Sequence, residues 1–336
     1  MPAVAINDGI TCRRSFPASF RGPTDLRVTE TQVLSEAATA NAALIRSQRL
    51  QGIGLSIAAV TLFCFLDTLA KLSSQRVPTV EVVWFRYAMH FALAMVFLNP
   101  WRSRSAWRTR RPLAQIGRAM LLTMSTGLNF MALRYLQLVE TVTIQFLAPL
   151  FISVLSVIFL KETVGARRWV AIAVGFAGIL VVTRPGVAEV HWAVLLSLAS
   201  VVSGAGYFIM TRSLATTESP GSMLLVMAAF PTVLLLPWLY AVWVTPPDLF
   251  TWMTLAGTGV FGALGHYLLI LAYRHVPASV LAPFSYTQII GMVTLGYLVF
   301  GHVPSPWTFT GAAIIIASGL CLLAEERRGR ATVRSS

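Results

Sequence analysis

Ten apolar stretches, each about twenty residues long, occupy nearly all of the chain between Gln51 and Ala324. Short joints that carry basic residues, proline or glycine separate them. A helix that crosses a bilayer needs about 20 apolar residues, and no soluble core strings ten such segments together. The sequence therefore predicts an all-α integral membrane protein with ten transmembrane helices. The predicted spans are 52–72, 79–99, 116–135, 138–160, 166–183, 191–211, 222–244, 250–273, 279–300 and 305–324.

The composition agrees with a membrane protein and argues against a nucleic-acid partner. Hydrophobic residues make up 56% of the chain and charged residues 12%, and the mean hydropathy is +0.71. The formal net charge is +13. Nucleic-acid binding is excluded because no basic stripe lies on a soluble domain. The joints between spans are instead where the basic residues are expected to lie.

The distribution of Lys and Arg predicts the orientation of the chain. Cytoplasmic joints of bacterial inner-membrane proteins carry an excess of both residues. With a cytoplasmic N-terminus, the large basic group at 102–118 falls inside, and the outer joints receive only Lys71, Arg76, Arg134 and Arg184. An even number of spans returns the C-terminus to the cytoplasm. We therefore expect a multi-pass protein of the bacterial inner membrane with both termini inside.

The two ends of the chain lack span-like sequence. Residues 1–49 contain no continuous apolar run that could form a signal-peptide core, and they are predicted to be a disordered cytoplasmic tail. Residues 326–336 are predicted to be a basic cytoplasmic tail. The three cysteines, Cys12, Cys64 and Cys321, have no spacing that suggests a metal site or disulfide framework. No metal, cofactor or catalytic residue is predicted.

An internal repeat is visible at an offset of 140 residues. The shift aligns Ala132, Leu133 and Arg134 with Ala272, Tyr273 and Arg274. This predicts two five-span repeats, 50–185 and 186–325. Five is an odd number, so the second copy enters the membrane from the opposite face and the repeats are inverted. Inverted repeats are the basis of alternating access in secondary transporters, with the substrate between them.

Two opposite charges fall at similar depth in the first two spans. Asp67 lies near the outer end of the first span and Arg86 lies within the second. A charge near the bilayer centre costs on the order of 3 kcal/mol, so each needs a partner or an aqueous path. We expect Asp67 and Arg86 to pair. The pair either fixes the two spans permanently or opens to bind substrate or exchange a proton, and both alternatives stay open.

Polar and aromatic residues in the other spans predict a binding cavity at the midplane. Aromatic rings with scattered amides and hydroxyls suit a planar or amphipathic organic solute, whereas inorganic ions would call for more carboxylates. The titratable candidates for proton coupling are Asp67, Glu140 and His266. The candidate substrate-binding residues are Asn129 and Gln145 toward the outer side, and Tyr207, His266, Tyr286 and Gln288 toward the inner side.

Several short motifs resemble the EamA-type branch of the drug/metabolite transporter superfamily. They are Arg86 early in the second span, residues 132–135 leading to Pro149, Lys161 with Glu162, and residues 281–288, 311–313 and 316–319. The resemblance covers about residues 50 to 325 and implies two inverted five-span repeats. Asp67, the following Lys71 and Arg86 are similar to those of bacterial carriers of S-adenosylmethionine and riboflavin, so the resemblance implies these solutes. Where members carry Glu after the ninth span, this chain has His302.

We therefore expect a secondary carrier of a small organic metabolite that acts by alternating access. Uptake of a vitamin or nucleoside-like compound, riboflavin or S-adenosylmethionine, is favoured. The first alternative is an exporter of amino acids or other metabolites. The second is a membrane-embedded enzyme acting on lipid, with His266, Asp67 and Glu81 as catalytic groups, although these lie at dispersed depths. Proton coupling and a homodimer are retained as alternatives.

Overall fold

The computed structural model is helical throughout most of the residues it describes, which are 23–98, 108–160, 166–184, 191–214, 217–276 and 278–335. No strand occurs within these ranges. The helices are α1 (Pro23–Ser74), α2 (Thr79–Leu98), α3 (Pro112–Tyr135), α4 (Leu138–Gln145), α5 (Ala148–Leu160), α6 (Ala166–Thr183), α7 (Ala193–Leu214), α8 (Pro220–Leu234), α9 (Leu236–Val242), α10 (Leu249–His275), α11 (Ala278–Ser285), α12 (Gln288–Phe300) and α13 (Pro306–Ser335).

The membrane character of the helices is confirmed, but the predicted count of ten spans is not. Among the described residues, six helical segments are long and apolar enough to cross a bilayer. A seventh is added if α8 and α9, which bend by 40° at Leu235, form one span. Two further apolar helices, Trp169–Thr183 and Pro306–Leu322, are shorter. The segment of α3 carries Arg118 and Arg134, which lower its hydropathy.

Three of the ten predicted stretches are each divided into two helices. The fourth stretch breaks at Phe146 and Leu147, between α4 and α5, and the ninth breaks at Tyr286 and Thr287, between α11 and α12. These two breaks are separated by the same 140 residues that relate the predicted repeats. The break between α8 and α9 has no counterpart in α2, which is continuous. The first two breaks therefore belong to the repeated pattern.

Contacts between helices follow the predicted repeat. α2 packs against α8 and α10, and α3 packs against α7 and α8. A shift by one repeat turns α2 into the α8–α9 stretch and α3 into α10, so the α3–α8 and α10–α2 contacts are equivalent. α6 packs against its own counterpart, α13. The ten-span path and the two repeats remain proposals that this pattern supports.

Small residues bring α6 and α13 close together. A Cβ atom added to Gly311 would overlap Val182 Cγ2 and lie 2.6 Å from the carbonyl oxygen of Gly178. A Cβ atom added to Gly178 would lie 2.7 Å from Ile315 Cγ1. In lipid, helices associate through such close backbone approach because there is no hydrophobic force between them. The interface between the last helices of the two repeats thus depends on glycine.

The described parts of both chain ends are helical. α1 begins at Pro23, within the predicted N-terminal tail, and whether residues 1–49 are disordered stays a prediction. α13 continues to Ser335 through the predicted basic tail. The chain separates into two compact units, Met1–Leu50 and Gln51–Ser336. Residues 1–22, the basic group around Arg104, and Lys161 with Glu162 lie outside the described residues.

The predicted orientation can be tested by cysteine labelling in a cysteine-free variant. Arg108 and Thr245 are both exposed and lie in joints assigned to opposite sides. We expect an impermeant thiol reagent applied to intact cells to label Thr245→Cys and to spare Arg108→Cys. Both should be labelled after the membrane is permeabilised. The reverse pattern in intact cells would overturn the predicted topology.

The glycine interface predicts a loss of stability for Gly311→Ala. The added methyl group overpacks the contact with α6, which typically costs about 1–3 kcal/mol, so the midpoint of thermal unfolding in detergent should fall. Gly127→Ala is the matched control, because a Cβ atom at Gly127 meets nothing within 4 Å. This control should keep or slightly raise the midpoint. An unchanged midpoint for Gly311→Ala would show that the close approach is not required.

Candidate functional site

A polar cavity of about 250 Å³ lies inside the bundle. Both predicted repeats contribute to its wall. Its volume is near the lower end of the range for small-molecule sites, about 300 Å³. The lining residues are Phe63, Leu66, Asp67, Arg86, Leu122, Ser125, Thr126, Asn129, Phe130, Gln145, Ser200, His266 and Gln288. Six of the nine sequence-predicted site residues are therefore brought together: Asp67, Arg86, Asn129, Gln145, His266 and Gln288.

Glycines of α10 position α1 and α2 beside this cavity. Gly262 faces Leu66 of α1, and a Cβ atom there would lie 2.9 Å from Leu66 Cδ1. At Gly265 it would lie 2.6 Å from the ring of Phe63. At Gly259 it would lie 3.0 Å from the carbonyl oxygen of Arg86 in α2. This row of small residues lets His266, on the same helix, face Phe63 at a centroid distance of 5.1 Å.

Arg86 is held in the cavity wall by neutral groups. Its Nη1 donates to Thr126 Oγ1 at 2.5 Å and to the Tyr87 hydroxyl at 3.5 Å. Its guanidinium carbon lies 5.6 Å from the centroid of the Phe130 ring and 5.2 Å from that of Tyr87. Nε is buried and has no hydrogen-bond partner among the described residues. The guanidinium is thus oriented, but its charge is not neutralised by these contacts.

Asp67 lines the same cavity but does not form a direct ion pair with Arg86. Within the described residues, no hydrogen bond to the Asp67 carboxylate is present. The expected closed pair is therefore absent from this conformation, because Arg86 makes its bonds to Thr126 and Tyr87. Two opposite charges face one cavity without a permanent contact. Functional coupling between them stays a prediction.

Carboxamides from both repeats reach the cavity. Gln145 Nε2 donates to Asn129 Oδ1 at 3.0 Å and to Ser200 Oγ at 3.1 Å. Ser125 Oγ in turn donates to the carbonyl oxygen of Ser200 at 2.8 Å. No hydrogen bond to Gln145 Oε1 or from Asn129 Nδ2 is present among the described residues. Gln288 faces the same cavity from the second repeat. The wall therefore offers both hydrogen-bond donors and acceptors to a bound solute.

Tyr286 lies outside the cavity lining, contrary to expectation. Its ring meets that of Phe146 edge to face, with centroids 4.9 Å apart. These two residues occupy the equivalent breaks of the fourth and ninth stretches. A Cβ atom added to Gly319 of α13 would collide with the Tyr286 hydroxyl oxygen. Tyr286 therefore packs the two breaks against each other outside the cavity lining.

Tyr207 and Glu140 also lie away from the cavity. The Tyr207 hydroxyl accepts from Arg118 Nη1 at 3.5 Å, at a buried arginine whose Nη2 donates to the Met223 carbonyl oxygen at 2.6 Å. Glu140 Oε2 accepts from the backbone N–H of Gln137 at 3.0 Å and thereby stabilises the start of α4. Both side chains are occupied by packing or capping roles.

Sequence reasoning missed the hydroxyl-bearing face of α3. Leu122, Ser125, Thr126 and Asn129 all line the cavity. Their spacing of three and four residues is the signature of one helical face, so it was readable in the sequence. The His90 ring of α2 lies 6.0 Å from that of His266. No group of three or more His, Cys, Asp or Glu able to hold a metal ion occurs within the described ranges.

A helical membrane bundle around a polar cavity built from both repeats is the architecture of a small-solute transporter. The chain belongs to the EamA-like transporter family, whose model matches it twice, at residues 50–184 and 191–324. This confirms the predicted family.

Similar proteins are named as transporters. A riboflavin transporter of Vibrio cholerae serotype O1 is 30% identical over 82% of this chain and 93% of its own length. An S-adenosylmethionine uptake transporter of Rickettsia felis is 28% identical over 83% of this chain and 94% of its own. The pseudopaline exporter CntI of Pseudomonas aeruginosa is 24% identical over 81% of this chain and 95% of its own. These relatives support a transporter rather than an enzyme.

A solved crystal structure also has this fold. It aligns with a TM-score of 0.56 over 82% of this chain and 98% of its own, at 19% identity. At this identity the likeness concerns the fold alone.

The two cavity charges predict a coupled effect of mutation. Asp67 and Arg86 face one cavity with opposite charges, so removing either one leaves the other without its counter-charge in a medium of low dielectric, whereas removing both avoids that cost. Transport by Asp67→Asn/Arg86→Gln, at matched expression, should fall no further than transport by the weaker single variant. Fully additive losses would show that the two residues act separately.

Proposed function

We propose that this transporter takes up a heterocyclic metabolite across the bacterial inner membrane by alternating access, with riboflavin and S-adenosylmethionine as the favoured solutes. The observation that carries the proposal is the composition of the cavity wall. Three carboxamides, two phenylalanine rings and one pair of opposite charges converge there from both repeats. The relatives named riboflavin transporter and S-adenosylmethionine uptake transporter support this solute class, and the second name also supports uptake.

The carboxamides suit the edge of a flavin or a nucleobase. Such an edge presents carbonyl oxygens beside ring N–H or amino groups. Asn129 Nδ2 can donate to the carbonyl, and Gln145 Oε1 can accept from the neighbouring N–H. Phe63 and Phe130 supply apolar faces on which a ring can stack. A buried amide that loses its partner is costly, so these groups also reject solutes without a matching edge.

The roles of Asp67 and Arg86 should differ between the two favoured solutes. S-adenosylmethionine carries positive charges on its sulfonium and ammonium groups and a negative charge on its carboxylate. It can therefore use Asp67 for a cationic group and Arg86 for the carboxylate. Riboflavin is neutral and needs neither charge. If the substrate is S-adenosylmethionine, Asp67→Asn should abolish most of its binding, whereas riboflavin binding should change little.

The decisive experiment is transport of the unmodified solute into proteoliposomes. The panel contains riboflavin, S-adenosylmethionine and amino acids, each with and without a pH gradient. Accumulation of one unaltered solute supports a carrier, and conversion of the solute would instead favour a membrane enzyme. Efflux without uptake would favour the export alternative, which the relative named as a pseudopaline exporter keeps open. No movement of any member would refute the proposed solute class.

The cavity location predicts the effect of one amide substitution. Gln288→Leu should strand a polar group of the solute and weaken its binding by roughly 1–3 kcal/mol, with protein abundance unchanged. Apparent affinity is measured from the concentration dependence of uptake. Gln51→Leu is the matched control, because Gln51 is exposed and outside the cavity. Unaltered affinity in Gln288→Leu would place the binding site elsewhere.

A further inference from the structure

A salt bridge ties two joints together at one end of the bundle. Arg76 follows α1, and its Nη1 donates to Asp248 Oδ2 at 2.8 Å and to Thr251 Oγ1 at 3.1 Å. Asp248 is the N-cap residue of α10 and accepts from the Thr251 N–H through Oδ1 at 2.7 Å. This contact, the Arg76–Asp248 latch, joins the α1–α2 joint of the first repeat to the α9–α10 joint of the second.

A second carboxylate ties two joints together elsewhere. Glu218 lies between α7 and α8, and its Oε1 accepts from the backbone N–H groups of Arg110 and Arg111 at 2.8 Å each. Gln115 Nε2 donates to Oε2 at 3.4 Å. Arg111 is the N-cap residue of α3 but provides no side-chain cap, so Glu218 supplies the acceptor instead. This contact, the Glu218 latch, joins the α7–α8 joint of the second repeat to the α2–α3 joint of the first.

The two latches are counterparts under the repeat. The α1–α2 and α7–α8 joints each connect the first two predicted spans of a repeat, and the α2–α3 and α9–α10 joints connect the next two. In both latches, the first joint of one repeat therefore binds the second joint of the other repeat. Each latch also fixes the N-terminus of an equivalent helix, α3 or α10.

The latches lie at opposite ends of α3. The Glu218 latch holds its N-terminus. At its C-terminus, Lys71 in the last turn of α1, just before Arg76, donates to the carbonyl oxygens of Leu133 and Leu136 at 2.6 and 2.7 Å. α3 has 24 residues, which at 1.5 Å per residue separates its ends by roughly 36 Å. The cavity residues of α3, such as Ser125, lie between the two ends.

We propose that the Arg76–Asp248 latch and the Glu218 latch are the outer and inner gates of this transporter, and that each must break before the cavity opens on its side. The proposal rests on the alternating-access function proposed above. In the structure both latches are made. The Arg76–Asp248 ion pair is exposed, and exposed ion pairs contribute modest free energies, which suits a gate that opens in every cycle.

The acid of each latch is held in its charged form. Hydrogen bonds from the Thr251 hydroxyl and N–H keep the pKa of Asp248 below its usual value, and Arg76 adds to this effect. Partial burial raises the pKa of Glu218, but the hydrogen bonds from the N–H groups of Arg111 and Arg110 lower it by more, so that its pKa lies below the usual value. A depressed pKa means that the contact is present at neutral pH and is lost only as the pH falls through that lowered value. Both latches should therefore persist at mildly acidic pH.

The test measures access to the cavity and does not require a known substrate. In a background without the native cysteines, Ser125→Cys places a thiol in the cavity wall. An impermeant thiol reagent is applied to right-side-out and to inside-out vesicles, and the rate of labelling is compared. Asp248→Asn and Arg76→Gln should each raise labelling from the outside by about two- to fivefold. Glu218→Ala should raise labelling from the inside by about tenfold, since it removes charge-assisted hydrogen bonds.

Matched controls separate latch opening from loss of structure. Asp248→Asn keeps an N-cap side chain, so α10 retains its cap. Asp248→Asn combined with Arg76→Gln should add nothing to either single change. Arg134→Gln and Arg274→Gln remove exposed arginines outside the latches and should leave both labelling rates unchanged. The gate proposal is refuted if the latch variants do not change the labelling rate, or if they raise it equally from both sides. This holds even if transport is observed. Side-specific labelling without transport supports the gates and refutes the proposed solutes.

Discussion

The cavity exists because α10 approaches α1 and α2 across glycine. A larger residue at Gly259, Gly262 or Gly265 would push against Met89, Leu66 or Phe63, as the positions of their added Cβ atoms show. Helices in lipid gain no hydrophobic driving force from association, so close van der Waals packing and polar contacts decide which faces meet. The row of glycines selects the face of α10 that also carries His266. The two charged groups of the site depend on that choice, since α1 and α2 bring Asp67 and Arg86.

The breaks in the fourth and ninth stretches are the second feature on which the cavity depends. A continuous helix keeps its backbone groups bonded to each other and offers a solute only side chains. At a break, backbone groups are released, and in transporters such discontinuities lie beside the substrate. Gln145 ends α4 and Gln288 begins α12, so both cavity amides flank breaks. The contact between Phe146 and Tyr286 keeps the two breaks together. The repeat thus places two aromatic rings, Phe146 and Tyr286, in equivalent positions, whereas the two amides flank their breaks from opposite sides, Gln145 before its break and Gln288 after.

The sequence predicts depth in the membrane better than it predicts rotation. Hydropathy locates the apolar stretches, and the two equivalent breaks are separated by the 140-residue offset of the repeat, although the sequence analysis predicted continuous spans there. The depth of a residue in the membrane follows from its position along the span. This position is enough to predict the six residues that meet at the cavity. The same reasoning fails for three residues whose side chains turn away from the cavity. Tyr207 contacts Arg118, Tyr286 contacts Phe146, and Glu140 caps the start of α4. Rotation about the helix axis is decided by which neighbour packs on which face, and apolar helices give little amphipathic signal to fix it. In α3 the spacing of the polar residues does indicate which face is polar, and the sequence analysis did not use it.

The partners of Arg86 explain how a charge can be both buried and available. A permanent ion pair with Asp67 would lower the cost of burying both groups, yet a substrate would then have to break it. Thr126 and Tyr87 instead orient the guanidinium through neutral hydroxyls, and the rings of Phe130 and Tyr87 attract its positive charge. Asp67 remains across the same cavity and reduces the electrostatic cost without occupying the donor groups. An arginine held in this way keeps hydrogen-bonding capacity for a solute, and the unpartnered Nε shows that its capacity is not exhausted by the protein.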